Sequence, residues 1–350
     1  MFSLLIIGTP LQFENGLSEM KRRQYMEWIK HGLIFDPAKF IWDKNFVGFA
    51  QSPQTLIFPN SVRVYFATRI QDPSDKFISH IRYVDFSRDM RTILDWSRHE
   101  VLGPGKLGCF DEHGVFPLNV VPVDDKIYGY TNGWSRRVSV SVETGVGLVI
   151  SHDQGRSFQR YGDGPVLSAT AHEPVLVGDA FVLQIAGRFI MWYIFGTGWR
   201  VFTPDGNPER TYKISMATSD DGINWQKSNR RLIPDRLGPD ECQALPSVLI
   251  RNGRYHMMFC YRQPVDFRQN TNNGYRLGYA WSDDGENWAR DDALGGLMPS
   301  PDGWDSKMIC YPHLFEVDGQ VYLLYNGNEF GRHGFGLASL SSGLSKAQKS

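Results

Sequence analysis

Between residues 241 and 299 apolar and polar positions alternate in four short runs separated by turn residues. The first run contains a proline: Cys242-Gln243-Ala244-Leu245-Pro246-Ser247-Val248-Leu249-Ile250. It ends at Asn252-Gly253, a pair that tolerates positive φ at both positions and is a strong hairpin signal. An aromatic run follows over 255–261, then a polar stretch over 262–274 and a third run over 275–280. Ser282-Asp283-Asp284-Gly285-Glu286-Asn287-Trp288 forms the next turn, and a last short strand is expected to end at Gly296-Leu297-Met298-Pro299. Four strands joined by tight turns in about sixty residues predict one blade of a β-propeller.

The same pattern recurs along the chain, and repetition at this spacing decides the fold class. A proline-bearing or apolar run, a turn and an aromatic strand start near Gln51, Gly114, Gly178, Glu241 and Cys310. Ser219-Asp220-Asp221-Gly222-Ile223-Asn224-Trp225 repeats the later turn, and Ser151-His152-Asp153-Gln154-Gly155 is a longer version of it. Fourth strands are expected at Glu100-Val101-Leu102, Pro165-Val166-Leu167, Arg231-Leu232-Ile233-Pro234 and Gly296 to Pro299. The fifth copy lacks one. The stretch from Trp28 to Pro37 parallels Trp225 to Asp235, so an N-terminal strand is expected to complete the last blade. The pattern therefore predicts an all-β, five-bladed β-propeller, its ring closed by an N-terminal strand. It spans residues 21–345 as one domain, after a poorly ordered lead-in over 1–20.

Composition narrows the picture slightly. The 350 residues are 41% hydrophobic and 13% aromatic, enough for a substantial core. A formal net charge of -1 gives no electrostatic case for nucleic acid or acidic membranes. Cys109, Cys242, Cys260 and Cys310 show no CxxC spacing, so free thiols are expected rather than a zinc site or disulfides. No metal and no cofactor are expected. No run approaches the length of a membrane span, and Leu4-Leu5-Ile6-Ile7 is short for a signal segment, which points to a cytoplasmic protein.

Strand order places the tight turns on one face and long loops rich in Arg, Asn, Gly and Trp on the other. Long loops on a rigid scaffold are where binding usually resides. Their planar and polar side chains suit the stacking and hydrogen bonding that a sugar needs. Candidate substrate-binding residues are Arg69, His113, Trp134, Glu173, Trp199, Arg262, Asn326, Asn328, Arg332 and His333. Acidic residues near the starts of the first strands are the candidates for chemistry: Asp111 and Glu112, Asp179, and Glu241. Carboxylates converging on an axis repel one another and lose water, which separates their pKa values into acid and base roles.

These features resemble the five-bladed β-propeller glycosidases: the invertase and levansucrase, arabinanase and xylosidase, and β-mannoside phosphorylase relatives. The Ser-x-Asp-Gly turns resemble their Asp-box, a structural turn remote from the chemistry. Glu241-Cys242 looks like a Glu-Cys motif whose Glu is the general acid. Asp179-Ala180-Phe181-Val182 looks like a motif whose Asp steadies the transition state, with Gly178 where an Arg would stand. The resemblance places a further Asp before the first proline, where this chain has Ser52-Pro53. Asp111, Glu112 and Asp36 are the candidate replacements. The resemblance implies a carbohydrate-active enzyme working on a glycosidic bond in a small-molecule substrate. A phosphorylase or transglycosylase is one alternative, favoured by the cationic Arg332-His333 pair; a non-catalytic sugar-binding propeller is the other.

Overall fold

The computed structural model describes residues 25–40, 42, 46–204 and 206–342, so the lead-in expected over 1–20 lies outside the described residues. Among these the chain is all-β, with three short helical turns. No helix is long and apolar enough to cross a membrane. The strands are β1 (Glu27–Phe35), β2 (Phe46–Ile57), β3 (Val62–Gln71), β4 (Phe77–Phe86), β5 (Ile93–Trp96), β6 (Gly114–Val123), β7 (Lys126–Arg136), β8 (Val142–Ser151), β9 (Gln159–Arg160) and β10 (Val177–Ile185). They continue with β11 (Arg188–Arg200), β12 (Glu209–Ser219), β13 (Gln226–Lys227), β14 (Cys242–Arg251), β15 (Arg254–Arg262), β16 (Arg276–Ser282), β17 (Ala289–Arg290), β18 (Cys310–Val317), β19 (Gln320–Asn326) and β20 (Phe335–Ser342).

β10 to β13 and β14 to β17 are separate four-stranded antiparallel sheets. β2 to β5 and β6 to β9 repeat this order and join through one parallel bridge, Ser79 to Gly114. β18, β19 and β20 take β1 as their fourth strand, with Trp28 opposite Leu340 and Lys30 opposite Ala338. The end of β1 is anchored by Phe35, 1% exposed, whose ring lies 5.1 Å from Phe335 and 4.9 Å from Phe66. Asn252 and Gly253 both have positive φ, 55° and 75°, as the hairpin signal requires.

The later turns close on their own side chains. Asp284 Oδ1 accepts from the backbone N–H groups of Glu286 and Asn287, and Asp221 does the same for Ile223 and Asn224. These bonds hold both carboxyls well below the usual range, the backbone N–H of Asn224 or Asn287 being the largest cause. So tight a reversal pairs the very next residues, and the fourth strands are β9, β13 and β17, directly after the turns. The later segments expected as strands contribute less. Leu102 and Leu167 make single bridges, to Ile81 and Val146, and residues 296–299 form no strand.

β2, β6, β10, β14 and β18 pack against one another in succession, and β18 packs against β2. Each is interrupted by a two-residue bulge at the same place, where the ladder skips Ser52-Pro53, Phe116-Pro117, Asp179-Ala180, Leu245-Pro246 or Tyr311-Pro312. Proline cannot donate to a ladder, and bulges re-aim side chains. Ser52, Asp179, Leu245 and Tyr311 adopt left-handed φ between 47° and 55°. Around the bulges, neighbouring first strands are tied by side chains. Asn119 donates to Gln54 and accepts from Val182 N, and Asp179 accepts from Leu245 N. Ser247 accepts from Leu314 N, and His313 Nε2 accepts from Thr55 N.

Candidate active site

The bulges turn residues toward a cavity of about 240 Å³ at the end of the molecule away from the Asp221 and Asp284 turns. First strands supply Gln51, Phe116, Asp179 and Tyr311; their neighbours supply Arg69, Ser79, Asn132, Trp134, Thr144, Arg210, Tyr212 and Tyr275. Asp179 is the one carboxylate among these lining residues. It is 6% exposed, and burial pushes its carboxyl up to about 6 against the opposing effects of the Leu245 N–H and the Arg210 charge.

The groups around Asp179 are held firmly. Tyr212 and Tyr275 share a hydroxyl-to-hydroxyl bond of 2.7 Å. Behind them lies the buried guanidinium of Arg262, 3.5 Å from the Phe267 ring centroid, donating to the Gln263 and Pro264 carbonyls. Trp134 is fixed by an indole bond to Ser79 Oγ and by stacking on His113 at 5.7 Å. Asn132 leaves its side-chain oxygen buried without a partner, and its amide fills the space that a Cβ at Gly178 would enter. That close approach explains a glycine at the position where the resemblance put an arginine.

Of the sequence candidates, Arg69, Trp134 and Asp179 line this cavity. Glu241 does not. It precedes the bulge of β14 by four residues, and Leu245 holds the place equivalent to Asp179. The Glu241 carboxylate is 0% exposed and accepts from Arg290, Gln243 and the Arg236 and Leu237 N–H groups. Asp111 is likewise buried, paired with Arg160, and Glu112 bonds Gly108 N and faces His113. Asp36 caps a helical turn through Ala38 N. Glu173 is taken by Tyr193 and Lys227. Asn326 spends its amide on Ser52 N, Ala50 O and Gly334 O.

A second cleft of about 620 Å³ adjoins the first and shares Arg69 with it. Asn328 and His333 line it, with Arg268, Lys307, Phe267 and Phe330. Arg332 and His333, expected as a cationic pair, are both drawn to Glu329, at 3.3 and 3.5 Å. Trp199 stands outside, its ring 5.8 Å from the Arg210 guanidinium. Sequence reasoning missed Gln51, Asn132, Arg210 and the three tyrosines. The available signal was the recurring X-Pro pair, which marks Tyr311 as the counterpart of Asp179. Among the described residues no group of three His, Cys, Asp or Glu is placed to hold a metal ion. All four cysteines are free.

No protein-family model matches the chain. It is 34% identical over 319 residues to the uncharacterized protein Rv1502 of Mycobacterium tuberculosis (strain H37Rv), covering 91% of this chain and all of that one. A solved structure described as a glycoside hydrolase superimposes with a TM-score of 0.67 over 93% of this chain and 95% of its own, at 16% identity. The β-1,2-mannobiose phosphorylase of Listeria innocua, in complex with β-1,2-mannobiose, gives 0.63 over 90% and 96%, at 12% identity. At these identities the likeness is one of fold, that of the propeller glycosidases.

Proposed function

The chain belongs to the family of the Mycobacterium tuberculosis protein Rv1502 and has the fold of glycoside-active propeller proteins, and from that premise we propose a carbohydrate-active enzyme that cleaves or transfers at a glycosidic bond, with Asp179 as its proton donor. On this reading residues 21–345 form one five-bladed propeller whose ring is closed by β1. The pairing of β1 with β20 and the bond from Thr55 N–H to His313 support it.

The observation that carries the proposal is Asp179, a single buried carboxyl raised to about 6 within a cavity that suits a sugar. A donor near that value keeps a protonated fraction at neutral pH and yields a base strong enough to recover its proton. Trp134 offers an aromatic face, while Gln51, Ser79 and the unpartnered Asn132 oxygen offer partners to hydroxyl groups. Hydrolysis by the two-carboxylate route needs a second acid about 5–9.5 Å from the first. None lines the cavity beside Asp179, which favours transfer to a nucleophile that needs no protein base. In phosphorolysis a phosphate oxygen would bond the anomeric carbon as the glycosidic C–O bond breaks. The leaving oxygen would take the proton from Asp179, which recovers one from the phosphate.

Aryl glycosides assayed with and without inorganic phosphate test this. Asp179→Asn should slow turnover by roughly 10²–10⁴. Wild-type kcat/KM should fall as pH rises above about 6, since the protonated form is the active one. Undiminished turnover in the Asn variant removes Asp179 from the reaction. Sugar binding without turnover in the wild type would instead assign the cavity to recognition alone.

A further inference from the structure

Arginines at the cavity end of the molecule fall into two groups. Arg136 pairs with Asp72, Arg137 with Glu143, Arg200 with Asp240 and Arg332 with Glu329. The second group has no carboxylate within 4 Å among the described residues, although the chain as a whole carries a net charge of -1: Arg262 and Arg276 are spent on backbone carbonyls, which leaves Arg69, Arg210 and Arg268. These three converge. Arg69 and Arg210 line the axial cavity, Arg69 and Arg268 line the second cleft, and Arg210 and Arg268 line a third that opens beside them.

Each is positioned without being neutralised. Arg69 donates its Nε–H to Gln51 Oε1 at 3.0 Å and lies over the Phe49 ring at 4.4 Å. Arg210 donates to Ser141 Oγ at 3.2 Å, and Arg268 rests 4.3 Å from the Phe267 ring centroid. Asp179, in the cavity itself, feels the Arg210 charge but stands beyond ion-pair distance, and the acids in the adjoining clefts, Glu209, Asp266 and Glu329, make no ion pair with the three arginines. Desolvation, chiefly, and the nearby Arg268 charge lower the Arg69 pKa against the opposing effect of Tyr311. Like charges held together in a partly desolvated site are unfavourable until an anion enters. The planar fork of arginine matches the oxygens of phosphate and carboxylate.

We propose that the mouth of the axial cavity is an oxyanion site, in which Arg69, Arg210 and Arg268 hold a phosphate or carboxylate group adjacent to the sugar bound beside Asp179. The oxyanion is either part of the sugar ligand or a free phosphate acting with it. The sugar in this statement rests on the function proposed above, whereas the anion site does not.

Calorimetric titration of the full chain with inorganic phosphate, glucose 1-phosphate and glucuronate, with glucose as the neutral control, tests the site without requiring turnover. At least one anion should bind saturably, and at least tenfold more tightly than glucose. Affinity should fall at least tenfold in Arg69→Gln, Arg210→Gln and Arg268→Gln and weaken with added NaCl, while the Arg→Lys variants retain part of it. Thermal melts of each variant establish that it is folded. Phosphate binding as well as glucose 1-phosphate assigns the site to a free co-substrate; tighter binding of a sugar anion assigns it to the ligand's own group. No saturable anion binding, or equal binding of glucose, overturns the proposal. A loss of turnover in Asp179→Asn with no anion binding would sink this inference alone, and the converse would sink only the catalytic assignment.

Discussion

Replacing Asp179 by Asn should stabilise the protein, by an amount that depends on pH. Burial lifts the carboxyl from 3.8 to about 6, roughly two units, and each unit corresponds to about 1.36 kcal/mol. The ionised group therefore opposes folding by about 3 kcal/mol. Its folded-state value lies above the unfolded one, so its favourable contribution is complete below pH 4 and is lost as pH rises through about 6. Asn cannot ionise, and its side-chain oxygen can still accept from Leu245 N. The variant should match the wild type at pH 4 and exceed it by up to about 3 kcal/mol at pH 8. Urea melts of both proteins at pH 4, 6 and 8 provide the measurement. His256 and His313, which burial lowers to about 4 and about 3, act alike in both proteins and cancel in the difference. A gap that stays constant with pH, or a wild type that is the more stable at pH 8, would refute the account of Asp179 as a desolvated carboxylate.

Three further outcomes follow from the same contacts. Glu241→Ala leaves the buried Arg290 with Asp292 and the Pro234 carbonyl and should cost about 3–5 kcal/mol in urea melts; a change under 1 kcal/mol would mean that the pair is not structural. Phe35→Ala removes the ring that anchors β1 and should cost about 3–5 kcal/mol, whereas deletion of residues 1–20 should leave the melt unchanged and deletion through Phe35 should abolish its cooperativity. Asp284→Ala opens its turn and should lower the melting temperature modestly while sparing phosphate binding; weakened binding would place the ligand near that turn.

Much of the fold was legible because alternation and turn chemistry are local signals. Asn252-Gly253 and the Ser-x-Asp turns act within a few residues, and the match of Trp28 to Trp225 pointed to the strand that pairs with β20. The fourth strands were displaced because apolar triplets such as Pro165-Val166-Leu167 look like strands, whereas the polar pairs next to the turns do the pairing. The site was less legible. Glu241 drew attention through Glu-Cys, but what aims a side chain at the cavity is the bulge, and its marker is the proline after Leu245. Arg210, Tyr212 and Tyr275 lie in or beside strands where their letters look like ordinary packing. Only assembly of the sheets brings them to Asp179.

The side-chain bonds that tie each first strand to the next make Asp179 a clasp as well as an acid. Most of these clasps are uncharged, and His313 remains neutral in its own above about pH 3. Asp179 alone changes charge near neutrality, and its bond to Leu245 N joins β10 to β14. A hydrogen bond to a charged acceptor is roughly twice as strong as a neutral one. Each proton that Asp179 gives up would therefore strengthen this one bond between two sheets even as the buried charge opposes folding, so that, if Asp179 donates as proposed, every turnover would be felt as a small periodic change at that seam.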